Sequence, residues 1–175
     1  MAAPDGVREA WLAVQADFVQ GPVEFGVVEP AQLKATAGLE LFQAMLRREL
    51  PLPPINRTLG FFPVEAEKGR VVFQGLPTLD YYNPIGSIHG GWFATLLDSC
   101  VACAVHSSLP VGKAYTTLEL KLNLVRALTK DTGPVRAIGT VIHVGGRTAT
   151  AEGRIVDAEG RLYAHATTTC LVFDL

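Results

Sequence analysis

GGWFATLLDSCVACAVHS, residues 90–107, is the segment that decides the fold. It is the one long helix candidate, and Leu109-Pro110-Val111-Gly112 closes it because proline and glycine end helices. It carries Asp98 and His106, and charged groups in the middle of a bilayer are costly, so a membrane span is not expected. The segment is therefore predicted to be a buried helix.

The sequence after this helix has the periodicity of β-strands. In the first strand apolar residues alternate strictly with polar ones, at Leu118, Leu120, Leu122 and Leu124, which predicts one apolar face. Three further strands are predicted, at 135–144, 147–157 and 161–173. Hairpin turns separate these three strands, at Gly145-Gly146 and at Ala158-Glu159-Gly160.

Two apolar segments before the helix, at 58–64 and 70–76, predict a β-hairpin that turns at Glu67-Lys68-Gly69. A loop rich in turn residues follows at 77–87. The order is thus two strands, one helix and four strands with short connections, which favours an antiparallel sheet. We predict an α+β fold in which a curved antiparallel sheet wraps around one long central helix.

The first fifty residues predict a helical extension. One amphipathic helix is indicated by an apolar stripe at Val7, Trp11, Val14 and Phe18. A second stripe precedes the prolines at 51–54 and contains Leu39, Phe42, Met45, Leu46 and Leu50. We divide the chain into this extension, residues 1–50, and a core domain, residues 51–175.

Composition limits the classes of protein and partner. The 175 residues fit one domain with an extension, and 49% hydrophobic against 18% charged residues predicts a folded chain. Fifteen basic and seventeen acidic residues, without a long basic run, make nucleic acid and anionic membranes poor partners. The first residues lack the pattern of a secretory signal, so a cytoplasmic location is expected, and three cysteines do not predict a disulfide framework.

A loop that enters the central helix carries the candidate chemistry. Gly90 and Gly91 let backbone N–H groups approach a ligand closely at a helix N-terminus, as an oxyanion site requires. Asp98 interrupts an apolar helix, and a buried carboxylate needs a partner or a task. Each feature alone has an ordinary explanation. The two glycines could form a tight turn, Asp98 could face solvent, and His89 could form hydrogen bonds at the start of the helix. Their combined spacing favours a functional site.

The spacing of these residues resembles that of a known family. Asn83 lies six residues before His89-Gly90-Gly91, and Asp98 lies nine residues after His89. This arrangement resembles the PaaI-like, phenylacetate-degradation branch of the hotdog-fold thioesterases, over about residues 83–173. The segment YTTLELKLN, residues 115–123, also resembles the strand that follows the helix in that family. Arg126-Ala127 departs from it where relatives often have a proline.

The resemblance implies a hotdog fold and an acyl-CoA thioesterase. By it, Asp98 acts as general base or nucleophile, Asn83 orients water, and the Gly90 N–H with His89 polarises the thioester carbonyl. Thr117 matches a position that can carry an assisting hydroxyl, although strict alternation places it on the face away from the helix. A thioester is activated enough for a carboxylate, water and an oxyanion donor to suffice, so no cofactor or metal is expected. CoA enters as part of the substrate.

Two other clusters have alternative interpretations. Gly146, Arg147 and Thr148, in the turn after Gly145, resemble the stretch that contacts the CoA phosphates in related enzymes, and a solvated hairpin explains them equally well. Cys100, Cys103 and His106 form a Cys-x-x-Cys-x-x-His pattern that could suggest a metal or redox site. Small cysteines fit helix packing better, and no fourth ligand is near in sequence.

The catalytic residues are too far apart to act together in one chain. Nine helical steps from His89 to Asp98 give about 13 Å of rise and about 900° of rotation, hence opposite faces. A two-fold dimer with antiparallel helices would bring them together. The resemblance suggests that such dimers pair further into a homotetramer.

A hotdog fold is compatible with three functions. Acyl-CoA hydrolysis is favoured, and a hotdog hydratase would place its Asp and His differently. The alternative is a non-catalytic acyl-CoA-binding hotdog module, which has little need for a carboxylate such as Asp98 near the carbonyl.

Overall fold

The predicted central helix is present, and the remaining elements are arranged around it. The structure is a computed structural model that describes residues 4–175. Its helices are α1 (Pro4–Gln20), α2 (Pro30–Ala35), α3 (Gly38–Leu46), α4 (Pro54–Leu59) and α5 (Gly90–His106), with a 3₁₀ turn at Leu79–Tyr81. Its strands are β1 (Phe61–Glu67), β2 (Arg70–Gly75), β3 (Lys113–Leu124), β4 (Val135–Val144), β5 (Thr148–Asp157) and β6 (Leu162–Asp174).

The strands form one antiparallel sheet in the order β1-β2-β4-β5-β6-β3. Helix α5 contacts β2, β3, β4, β5 and β6, so the sheet wraps around it. This arrangement confirms the predicted hotdog fold. Among residues 4–175, no helix is long and apolar enough to cross a membrane.

Two glycines let the sheet approach the backbone of α5. Gly139 in β4 pairs with Gly153 in β5. A Cβ atom on Gly139 would lie 2.1 Å from the Cys100 carbonyl oxygen, and one on Gly153 would lie 2.6 Å from a methyl carbon of Val101. Only residues without side chains fit at this crossing, which sets the depth of α5 in the curved sheet.

The β-hairpin prediction is wrong at its first residues. Residues 58 and 59 belong to α4, and β1 begins only at Phe61. Pro54 starts this helix and Gly60, with φ of 63°, ends it in the left-handed conformation. The second predicted helix also ends earlier than expected, at Leu46.

The strict alternation predicted for β3 is also wrong. A β-bulge lies between Thr117 and Glu119, so Leu118 is 59% exposed rather than buried. Beyond the bulge Leu120 and Leu122 pack against the core as predicted. One extra residue shifts the faces of a strand, and here it turns Thr117 toward α5.

The extension packs on both sides of the sheet. Helix α1 covers the outer face, where Phe18 stacks on Phe62 with ring centroids 4.9 Å apart and Gln74 donates a 2.7 Å hydrogen bond to the Trp11 carbonyl. Helix α3 lies at the end of α5, where the Gly38 N–H donates to the Leu109 carbonyl at 3.2 Å. The domain boundary at residue 50 stays a prediction.

Candidate active site

Asp98 faces a cavity of about 570 Å³ from the middle of α5. The Thr117 hydroxyl donates a 3.0 Å hydrogen bond to its Oδ1 atom. In the described part of the chain no donor holds the other oxygen, Oδ2. Asp98 therefore has one anchored oxygen and one that is free to meet a substrate or water.

The bulge in β3 is what brings Thr117 to Asp98. Thr117 pairs with Cys170 of β6 and Glu119 pairs with the preceding Thr169, so Leu118 has no partner in the ladder. Without the extra residue, the alternation that buries Leu120 would turn Thr117 outward. The sequence signal for Thr117 was therefore the family motif and not the alternation.

The cavity extends from Asp98 toward the C-terminal end of α5. Its helix wall continues through Ala102 and Cys103 to His106, eight residues or about 12 Å along the axis from Asp98. Strand β3 supplies Tyr115 and Thr117 beside this wall. The opposite side comes from the extension and the segment that follows it, with Leu33, Phe42, Met45, Pro53 and Ile55. The sequence did not assign these residues to the site: the helical stripe of Phe42 and Met45 predicts burial without naming the surface that it covers, and the other three residues lie on no predicted stripe.

Burial keeps the polar groups at the His106 end of the cavity uncharged. It lowers the pKa of His106 to about 4 and raises the pKa of Cys103 to about 12. It also raises the pKa of Tyr115 well above its ordinary value. At neutral pH these three groups are an imidazole, a thiol and a phenol.

His89 is the N-cap of α5. Its Nδ1 atom accepts a 2.9 Å hydrogen bond from the Gly91 N–H, so the proton of the neutral ring lies on Nε2. The Gly91 N–H is thus engaged within the chain. The Gly90 N–H has no hydrogen-bond partner among the described residues, and together with the exposed His89 ring it provides donors at the positive end of the helix dipole.

Asn83 fixes the loop that leads into α5. Its Oδ1 atom accepts hydrogen bonds from the N–H groups of Ile85 at 3.1 Å and Ser87 at 3.2 Å. Its Nδ2 atom donates to the Ser87 hydroxyl at 3.1 Å, which leaves one amide hydrogen for a ligand. These hydrogen bonds give Asn83 a structural role in the loop, and its role in orienting water stays a prediction.

The predicted catalytic residues fall into two separate groups within one chain. Asn83 and Gly90 line a second cavity of about 280 Å³, next to Leu124 at the end of β3. Asp98 lines only the larger cavity, with Thr117. The structure thus brings together Asn83, His89 and Gly90 on the one hand and Asp98 and Thr117 on the other.

The predicted CoA-binding turn connects β4 and β5. The Gly145 N–H donates to the Thr148 carbonyl at 2.8 Å, and the Arg147 carbonyl accepts from Val172 at 2.9 Å. Gly146, Arg147 and Thr148 are exposed. Thr148 is on the outer face of the sheet, because the next residue, Ala149, is buried toward α5. Within one chain Thr148 and Asp98 lie on different sides of the sheet, and phosphate binding by this turn stays a prediction.

The cysteines of α5 pack inside the protein. Cys100 is fully buried and its thiol donates to the Leu97 carbonyl at 3.2 Å. Cys103 lies 4.0 Å from the Tyr115 hydroxyl. Within residues 4–175, no three His, Cys, Asp or Glu side chains are arranged to hold a metal ion.

Comparison with known proteins identifies relatives of this site and fold. Residues 85–164 match the Thioesterase superfamily. A 1,4-dihydroxy-2-naphthoyl-CoA hydrolase of Listeria monocytogenes is 29% identical over 62% of this chain and 86% of its own length. A phenylacetic acid degradation-related protein of Ralstonia eutropha is 30% identical, with a TM-score of 0.67 over 74% of this chain and 98% of that one. Another solved member of the thioesterase superfamily is 32% identical, with a TM-score of 0.62 over 77% of this chain and 97% of that one.

Proposed function

Since the chain belongs to the thioesterase superfamily, in its PaaI-like hotdog branch, we propose that it hydrolyses acyl-CoA to the free acid and CoA with Asp98 at the reaction centre. The observation that carries this proposal is the position of Asp98. It is a carboxylate at the wall of an otherwise largely apolar cavity, held by Thr117 through one oxygen only. Such a hydrogen bond fixes the orientation of the carboxylate and leaves its second oxygen available to react.

Both routes open to Asp98 begin at Oδ2. As a general base, Oδ2 takes a proton from water while the water oxygen bonds to the thioester carbon. The C–S bond then breaks, and the proton passes to the CoA thiolate. As a nucleophile, Oδ2 itself bonds to that carbon, CoA leaves, and water hydrolyses the resulting anhydride. Each route develops negative charge on the thioester oxygen, which requires hydrogen-bond donors.

We place those donors, the Gly90 N–H and the His89 Nε2–H, in a second copy of the chain. Both halves of the site border β3, which lies at the end of the sheet. Thr117 lies beside Asp98, and Leu124 lines the cavity of Asn83 and Gly90. Antiparallel pairing of two β3 edges, centred between Leu120 and Lys121, would set Thr117 of one copy opposite Leu124 of the other.

A dimer of this kind also explains the exposed surface of β3. Leu118 and Leu124 are 59% and 50% exposed, and the outer edge of β3 has no partner among the described residues. An unpaired strand edge with apolar side chains favours pairing with another chain. Further association into a tetramer and a cytoplasmic location, where acyl-CoA is accessible, belong to the same proposal.

The proposal is tested with Asp98→Asn, which has nearly the same shape but cannot accept the proton. We expect kcat for release of CoA thiol to fall by roughly 10²- to 10⁴-fold, with acyl-CoA binding retained. The matched control is Asp131→Asn, an exposed aspartate paired with Lys130. Near-normal turnover by Asp98→Asn would contradict the assignment, and a wild-type protein that binds acyl-CoA without releasing thiol would be a binding module.

A further inference from the structure

The cavity that begins at Asp98 ends in three uncharged polar side chains, here called the distal cluster: Cys103, His106 and Tyr115. The His106 ring lies 5.1 Å from the Tyr115 ring and 5.5 Å from the ring of Phe42. The Tyr115 hydroxyl is 4.0 Å from the Cys103 sulfur, a weak contact at best. The distal cluster therefore places an imidazole and a phenol in an otherwise apolar part of the cavity.

The hydrogen-bonding groups of His106 are not satisfied by the chain. Its ring nitrogens have no hydrogen-bond partner among the described residues. In that part of the chain, every fully buried side-chain nitrogen or oxygen atom does have a hydrogen-bond partner. The ring nitrogens are therefore not sealed from their surroundings, and His106 lines the cavity. A largely buried polar group without a hydrogen-bond partner lowers the stability of the protein. The site is therefore suited to a ligand that forms a hydrogen bond with His106.

The charge of the cavity restricts that ligand group. Among the described residues that line the cavity, Asp98 is the only carboxylate, and none is a lysine or an arginine. Burial holds His106 neutral, with its pKa lowered to about 4, so it offers no cation at neutral pH. A carboxylate on the substrate would be buried without a counter-charge, whereas a hydroxyl could both donate to and accept from a neutral imidazole.

The length of the cavity fixes where the hydroxyl must be. His106 lies eight residues after Asp98, or about 12 Å along α5. An extended carbon chain advances roughly 1.3 Å per bond, since tetrahedral angles shorten the projection of each C–C bond. About nine bonds span this distance, one more than the eight bonds between the thioester carbon and the terminal oxygen of an 8-hydroxyoctanoyl group, and a hydrogen bond to His106 covers the remainder.

We propose that His106, assisted by Tyr115, makes the enzyme selective for acyl groups that carry an uncharged hydrogen-bonding substituent, a hydroxyl, at the end remote from the thioester. This selectivity rests on the proposed thioesterase function. Phe42 and Met45 of α3 form the apolar wall beside this end of the cavity, so the extension contributes to the same specificity. His106 acts here as a specificity-determining residue and not as a group in the chemical step.

The test compares three CoA thioesters of matched length: octanoyl-CoA, 8-hydroxyoctanoyl-CoA and 7-carboxyheptanoyl-CoA. For the wild-type enzyme we expect kcat/KM for the hydroxylated substrate to exceed that for octanoyl-CoA by about tenfold, the value of one net hydrogen bond. The carboxylated substrate should be the poorest. His106→Phe keeps a ring but no N–H, and we expect it to bring the hydroxyl-to-octanoyl ratio to about one.

His165→Phe is the matched control, because His165 is exposed on the outer face of the sheet, and it should keep the wild-type ratio. If His106→Phe does not fold, His106→Leu replaces it, and the wild-type ratio is informative by itself. A wild-type ratio of one, or an unchanged ratio in the His106 variants, would overturn the proposal while leaving thioesterase activity in place.

The selectivity can also be measured separately from turnover. Dissociation constants of the three thioesters with Asp98→Asn protein should show the same order. If no thioester is hydrolysed by the wild-type protein but the hydroxylated one binds about tenfold more tightly, the proposed function fails and the selectivity stands. Equal dissociation constants would overturn the selectivity.

Discussion

The hydroxyl of Thr117 donates a 3.0 Å hydrogen bond to Oδ1 of Asp98 and leaves Oδ2 available for the proposed reaction. A half-buried carboxylate can otherwise rotate about its side-chain bonds. Fixing one oxygen removes that freedom at the moment of reaction, which is a direct contribution to the rate. Thr117 is therefore a positioning residue whose effect should be visible in kcat.

We expect Thr117→Val, which keeps the shape but loses the hydroxyl, to lower kcat by about 10- to 100-fold. This factor corresponds to the free energy of one hydrogen bond to a charged group. Thr117→Ser, which keeps the hydroxyl, should restore most of the rate. KM for acyl-CoA should change little in both, as measured by initial rates of thiol release. Equal losses in the two variants would mean that Thr117 contributes packing and not the hydrogen bond.

His106 also predicts a dependence of stability on pH. Burial lowers its pKa from 6.5 to about 4, so between these values the unfolded chain binds a proton that the folded chain does not. Stability is therefore lost as the pH falls through this window. The group should contribute about 2 kcal/mol to the drop in the free energy of unfolding between pH 7 and pH 4.5.

Urea unfolding at the two pH values measures this effect. Wild-type protein should lose about 2 kcal/mol more than His106→Phe, in which no group titrates at that position. His165→Phe, at an exposed site, should behave as the wild type. Parallel losses in wild-type and His106→Phe protein would show that His106 titrates normally in the folded chain.

The candidate catalytic motif is visible in the sequence, because the spacing of Asn83, His89 and Asp98 is local. The cavity wall could not be predicted from the sequence. Phe42 and Met45 lie more than fifty residues from Asp98 in the chain, and their helical stripe predicts only that they are buried. Which surface they cover depends on packing between distant elements.

At the scale of the elements, the crossing of α5 over β4 and β5 is the tightest constraint on the fold. A Cβ on Gly139 would meet the Cys100 carbonyl oxygen at 2.1 Å, and backbone atoms of a buried helix cannot move aside cheaply. The sheet would have to separate from α5 to accept any side chain there. This crossing therefore fixes the position of the helix that carries Gly90 and Asp98.

We expect Gly139→Ala to lower the free energy of unfolding by about 3 kcal/mol or more, or to prevent folding, because overpacking against backbone has no easy relief. The matched control is Gly146→Ala, where a Cβ meets no atom within 4 Å. That variant should stay within about 0.5 kcal/mol of the wild type. Chemical denaturation of the two variants makes the comparison, and equal stability would mean that α5 sits farther from the sheet than described.

Most of these elements were predictable from periodicity, and β4 was predicted at its observed bounds, 135–144. The errors have a common origin. The bulge at Leu118 and the short helix α4 both arise where local signals compete: alternating leucines hide an inserted residue, and apolar residues between prolines fit a strand or a helical turn. Tertiary packing decides such cases.

At the scale of the whole molecule, the proposed site requires two copies of the chain. The Gly90 N–H and Asp98 lie on the same helix, and eight residues place them about 12 Å apart along its axis. They line separate cavities, so one thioester carbonyl group cannot contact both residues of the same chain. The two-fold pairing of β3 edges proposed above would join the cavity of one copy to the helix N-terminus of the other.

This shared site predicts that two impaired chains can complement each other. One chain carries Asp98→Asn, and the other carries Asn83→Ala together with His89→Ala. Each homodimer should be weak or inactive, because both of its sites are damaged. In a mixed dimer one site collects all the lesions, and the other combines an intact Asp98 with an intact Asn83, His89 and Gly90.

Co-expression with two different affinity tags, followed by sequential purification, isolates the mixed dimer. It should recover up to about half of the wild-type thiol-release activity per dimer, since one of two isologous sites is restored. Re-purified homodimers of each variant serve as controls for residual activity. If all these residues acted within one chain, both sites of the mixed dimer would stay damaged, and verified mixed dimers would show no recovery. That result would overturn the shared site. Thioester hydrolysis would still be tested by Asp98→Asn alone, because the role of the carboxylate does not depend on which chain supplies the oxyanion donors.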